Sequence, residues 1–90
     1  MKVEIFRLAS QPVTLEVDGD EASIKTLFSS PGSGAVLGNP DLTFMQVANE
    51  RGGLSAIGNL RVNGVAATLD TVVKEGDTIL LIPAVEGGDL

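Results

Sequence analysis

The chain reads as a single α+β domain, with a mixed sheet of four to five strands covered by one main helix and, between the two halves of the sheet, an inserted glycine-rich loop and an extra helix. Three observations predict it. Two short N-terminal runs alternate polar and apolar residues, the period of a half-buried strand. Ile24, Leu27 and Phe28 then stand at i, i+3 and i+4, the spacing of one helical face. Near the other end Ile79-Leu80-Leu81-Ile82 is continuously apolar, as expected of a strand in the middle of a sheet. A length of 90 residues allows one modest core and no second one.

Taken in order, Lys2-Val3-Glu4-Ile5 is the first strand, and Phe6 and Leu8 fall on the face opposite Ile5, which predicts cover on both faces there. Ser10-Gln11-Pro12 breaks it. Val13-Thr14-Leu15-Glu16-Val17 alternates more cleanly and can return as a hairpin partner, ending at Asp18-Gly19-Asp20. The helical spacing predicts a short helix within Glu21 to Phe28. Ser29 to Pro40 is rich in turn formers and its two prolines exclude a continuous helix, so it reads as a loop. Asp41 or Thr43 can cap a second helix over Phe44 to Arg51, with Phe44, Val47 and Ala48 on one face, Arg51 in the last turn and Gly52-Gly53 as its stop. Two helices thus compete to cover the sheet, and the first is expected to win. Leu60 to Val62, an Asn63-Gly64 turn, a short strand, a Leu69-Asp70-Thr71 bend and a Glu75-Gly76-Asp77 turn lead into the last strand. First and last strands are expected to lie parallel at the sheet centre, over a core including Ile5, Leu15, Ile24, Leu27, Val62, Ile79 and Leu81. Pro83 then ends the sheet, because it has no N–H to give to a ladder.

Composition narrows the chemistry. At 43% apolar and 20% charged the chain is globular, and with only three phenylalanines its core is largely aliphatic. It has no cysteine and no histidine, which argues against disulfides, thiolate catalysis, a zinc site and a side-chain base titrating near neutrality. An enzyme in its own right is therefore not expected. Twelve acidic against six basic residues give a formal charge of −6, which disfavours nucleic acid and favours a basic protein surface, while also serving solubility. No apolar run approaches a membrane span and no secretory h-region opens the chain, so a cytoplasmic location is expected. Ser33-Gly34-Ala35-Val36-Leu37-Gly38 lacks the lysine and following hydroxyl residue of a phosphate loop.

What remains is the tail Pro83-Ala84-Val85-Glu86-Gly87-Gly88-Asp89-Leu90. By itself a glycine pair reads as an ordinary frayed end, and Gly52-Gly53 shows the same dipeptide in a plain structural role. Its context differs. A strand, an Asn-Gly turn, a short strand, two further turns and an apolar strand ending in Pro-x-Val-x-Gly-Gly resemble the ubiquitin-like sulfur carriers, most of all the small subunit of molybdopterin synthase and next the thiamine-pathway sulfur carrier. The resemblance covers about the last third of the chain at motif level and the rest by pattern. It implies a β-grasp domain over residues 1–83 and a flexible tail over 84–90.

It also implies a function. In that family an adenylating enzyme of the ubiquitin-activating type uses ATP to turn a terminal glycine carboxylate into an acyl-adenylate, and sulfur is then installed as a thiocarboxylate for a sulfur-accepting enzyme. The carrier itself binds no cofactor. By resemblance Gly88 carries the thiocarboxylate, and Gly87, without a Cβ, gives it passage down a narrow channel. The sequence departs from the commonest pattern in that Asp89 and Leu90 follow, which holds Gly88 in a peptide bond. Some relatives carry such extensions and lose them to a protease of the metal-dependent deubiquitinase type. A carrier that has lost its chemistry would read the same. Two alternatives stand beside the carrier: a protein modifier joined through Gly88, with Lys2, Lys25 and Lys74 as acceptors for chains of itself, and a β-grasp interaction module without tail chemistry.

Overall fold

The computed structural model describes residues 1–7, 11–52 and 58–82. Its strands are β1 (Lys2–Arg7), β2 (Val13–Glu16), β3 (Glu21–Ser23), β4 (Asn59–Val62), β5 (Val65–Ala67), β6 (Val72–Lys74) and β7 (Thr78–Ile82). The helices are α1 (Ile24–Phe28) and α2 (Phe44–Glu50), with a 3-10 helix over Ser33–Leu37 between them. Five strands form a mixed sheet in the order β2-β1-β7-β4-β5, and β3 pairs with β6 in a separate ribbon. The expected parallel pair is present: Ile5 lies beside Ile79 and Arg7 beside Leu81, while β7 runs antiparallel to β4 on its other side. β7 is thus the middle strand of five, but only Ile79 and Leu81 of its apolar run are buried, while Leu80 and Ile82 are partly exposed on the other face.

Alternation decides which face is buried. Val3 and Ile5 of β1, Leu15 of β2, Leu60 of β4 and Ile79 and Leu81 of β7 all point to one side and form a core with Ile24, Leu27, Phe28, Phe44 and Val73. Six of the seven expected core residues are buried. Val62 is the exception, being only half-buried at the end of β4 next to the Asn63-Gly64 turn, though still packed against the core. Leu60, two residues back on the same face, takes the core place instead.

Three expectations about local structure need correcting. Glu21 to Ser23 are extended, pairing Ala22 with Val73, and helix α1 begins only at Ile24, where the Ser23 side chain accepts from Thr26 N as its cap. β6, like β3, has only three residues, too few for a strand period to show in the sequence. The glycine-rich segment is more than a loop, since its 3-10 helix buries Ser33, Gly34 and Val36. Finally, Phe6 is only partly covered on the face opposite Ile5: it remains 37% exposed, and Leu8 lies outside the described residues.

Both helices contribute to the cover. Phe28 of α1 stacks on Phe44 of α2, with ring centroids 3.9 Å apart and 22° between the planes. Thr43 caps α2 in a capping box with Gln46, as one of the two candidates expected. The helix ends at Glu50, Arg51 is its C-cap, and Gly52 follows at φ +114°. The Arg51 guanidinium donates to Leu37 O at 3.1 Å, tying α2 to the 3-10 helix. Ser33 joins the two helices more tightly: its buried hydroxyl accepts from Phe44 N at 2.8 Å and is placed to donate to Ser30 O at 2.7 Å or Phe28 O at 3.1 Å. Next to it, a Cβ on Gly34 would collide with the carbonyl oxygens of Asn39 and Leu42, so only glycine fits there.

Candidate functional site

Gly87 and Gly88, with Pro83, Asp89 and Leu90, lie outside the described residues. What can be built is the platform from which they follow. β7 is described through Ile82, and its partners at that end are Asn59 on one side and, one residue earlier, Arg7 and Leu60. Arg7 fixes this corner of the sheet. Its guanidinium donates to Val36 O of the 3-10 helix and to Gln11 O, while its buried Nε has no hydrogen-bond partner among the described residues.

The face of the sheet turned away from the helices follows from the register. One row across it is Phe6, Leu80, Arg61 and Ala66, each paired with the next across β1, β7, β4 and β5. Ile82 and Asn59 form the next row toward the tail. In the other direction lie Glu4 with Thr78 and Thr14, then Lys2 with Glu16. On β1 and β7 the open face is therefore apolar at the end where β7 leads to the tail, through Phe6, Leu80 and Ile82, with the exposed Arg61 and Asn59 of β4 beside them, and it becomes more charged toward the opposite end. Leu80 and Ile82 are partly exposed and Phe6 more so. The strand alternation contained this patch in principle, but only the strand order brings Phe6 and Leu80 together.

At the charged end, Glu75 accepts from Lys2 N at 2.8 Å, and Asp77 is held by two donors. The backbone N–H of Lys74 and then the Asn63 amide, helped by the Lys74 charge, keep the Asp77 carboxyl below its ordinary value, against a small opposing effect of burial. Lys2, Lys25 and Lys74 are all exposed.

Among the described residues, the other places on the surface bring no catalytic set together. A groove between β2 and α1 is lined by Glu16, Asp18, Lys25, Ser29 and Ser30, yet the two serine hydroxyls donate to Lys25 O and Leu27 O of their own helix. The one buried polar side chain among the described residues, Ser33, is spent on the bonds given above, with no base beside it. Among the described residues no three metal-ligating side chains come together, and no helix is long and apolar enough to cross a membrane. Compared with protein-family models, with curated proteins and with solved structures, the chain matches none.

Proposed function

We propose that the chain is a ubiquitin-like β-grasp sulfur carrier of the molybdopterin or thiamine type, acting in the cytoplasm as the substrate of an adenylating enzyme. Removal of Asp89-Leu90 by a metalloprotease frees the Gly88 carboxylate, the activating enzyme joins it to AMP from ATP, and a sulfur donor displaces AMP to leave the thiocarboxylate. The chain contributes a carboxylate on a thin tail and a surface to dock by. It needs no catalytic side chain of its own.

The observation that carries this reading is β7. It is the middle strand, parallel to β1, and it runs directly into Pro83-x-Val85-x-Gly87-Gly88 beside the apolar corner formed by Phe6, Leu80 and Ile82. A partner seated on that corner would lie beside the end of β7, after which the tail follows in the sequence, and the charged remainder of the face would steer the approach of a basic partner. The same corner would equally serve an interaction module without tail chemistry, so the test must separate the two.

A variant ending at Gly88 should release pyrophosphate from ATP with the activating enzyme of its host, and full-length protein should not. Phe6→Asp in the trimmed variant should weaken the interaction while the domain stays folded, since Phe6 lies outside the core. If the trimmed variant is inert with every activating enzyme of the host but binds a partner through the same face, the interaction module is the correct reading. Conjugates found on target lysines by mass would select the modifier.

A further inference from the structure

Asn63 does more than make a turn. It stands at φ +50° with Gly64 at +87°, the two left-handed positions of a type I′ hairpin turn between β4 and β5. Its backbone N–H donates to Thr78 O at 2.9 Å, and its side-chain Oδ1 accepts from Thr78 N at 3.0 Å. The amide Nδ2 donates to Asp77 Oδ1 at 3.1 Å, and Asp77 Oδ2 accepts from Lys74 N at 3.0 Å. One side chain thereby latches the turn after β4 to the turn before β7. Both of its polar atoms are engaged.

An asparagine followed by glycine is also open to a covalent change. With no Cβ on Gly64 to block the approach, the deprotonated Gly64 nitrogen can attack Asn63 Cγ. A C–N bond forms, the Cγ–Nδ2 bond breaks and ammonia leaves, giving a five-membered succinimide. Water then opens either carbonyl to give aspartate or isoaspartate. The balance is one water consumed and one ammonia released, with no oxidant. In the latched turn this attack is opposed, because the carboxamide is held at both ends toward Asp77 and Thr78 and must leave them to meet Gly64 N.

We propose that Asn63 is a deamidation site guarded by Asp77, and that its conversion releases the latch irreversibly. The product carries a carboxylate where the amide donated to Asp77, so an attraction becomes a contact between two like charges. The isoaspartate form also adds a methylene to the backbone of the two-residue turn, which changes the length on which the hairpin register depends. The other asparagines, Asn39, Asn49 and Asn59, precede proline, glutamate and leucine, and they serve as internal controls.

The full chain and its Asp77→Ala variant are incubated under native conditions and followed by intact mass, with peptide mapping to place the change. Asp77→Ala should deamidate at Asn63 about fivefold faster than wild type, the factor that one ordinary hydrogen bond is worth. Asn39, Asn49 and Asn59 should be unaffected. Circular dichroism establishes that the variant is folded, and wild type in urea supplies the unguarded rate should it not be. A second arm exchanges the pair: Asn63→Asp should lower the thermal midpoint, and N63D/D77N should recover most of the loss, because the amide at 77 can donate to the carboxylate at 63 and still accept from Lys74 N. Equal rates in wild type, Asp77→Ala and urea-unfolded protein, or a double variant no more stable than N63D, would overturn the proposal.

Discussion

Ser33→Ala tests how the inserted segment is held. Ser33 is fully buried, and its hydroxyl accepts from Phe44 N, the first N–H of α2 and one that no residue of the helix can satisfy. Thr43 Oγ1 is already occupied by Gln46 N. Alanine would therefore leave a buried donor unpaired, at about 1 to 3 kcal/mol, and would remove one donated bond at about 0.5 to 1.5 kcal/mol. Ser30 O keeps its bond from Ser33 N, so the second loss is at the low end, and the total expected is about 1.5 to 3.5 kcal/mol. For a small domain that is a large share of a total of roughly 5 to 15 kcal/mol. The chain has neither tryptophan nor tyrosine, so unfolding is read by far-ultraviolet circular dichroism in urea, with the slope checked for constancy. Ser29→Ala is the control: its exposed hydroxyl donates to Lys25 O at 2.8 Å, and losing it should change stability by about 0.5 kcal/mol or less. A Ser33→Ala variant as stable as Ser29→Ala would refute the assigned role.

Two further outcomes follow from burial and charge. Leu81→Ala, at a fully packed position of the central strand, should cost about 2 to 5 kcal/mol, and Val62→Ala, at a half-buried one, about 1 kcal/mol, as measured by urea midpoints; the reverse order would contradict the core described above. Asp77 has a folded-state pKa below its ordinary 3.8, so its contribution to stability is present above that value and is lost as pH falls through the lower folded value. The difference in thermal midpoint between wild type and Asp77→Ala should accordingly shrink in strong acid, and a difference that stays constant with pH would show that the carboxylate charge is not involved.

What could be read beforehand was set by local signals. Asn63-Gly64, the i, i+3, i+4 spacing of Ile24, Leu27 and Phe28, the Thr43 cap and the run Ile79 to Ile82 each depend on neighbours within a few residues, and each lies in the kind of element the sequence suggests, although the first helix starts at Ile24 and not at Glu21. β3 and β6 were illegible because their evidence is their pairing, Ala22 against Val73, and three residues carry no period to announce it. Ser33 was illegible for a related reason. In Pro31-Gly32-Ser33-Gly34 it reads as one more turn residue, and only the arrival of Phe44 N from the next helix turns its hydroxyl into a structural bond.

The candidate site divides along the same line. Gly87 and Gly88 were found as a motif because a motif is contiguous, whereas the corner that would receive a partner is assembled from β1 and β7, at opposite ends of the chain. Phe6 illustrates the consequence. From alternation alone its exposure is ambiguous, since an apolar residue on the minor face of a strand can equally be covered by something else. Once β1 and β7 are paired in parallel, Phe6 stands beside Leu80, and a partly exposed apolar pair near the end of β7 gains a meaning that neither residue has alone. The carrier reading thus rests on two independent features that meet at one end of β7, a sequence motif and a surface. A partner that binds Phe6→Asp protein as well as wild type would separate them, because the motif would then have to act without the surface.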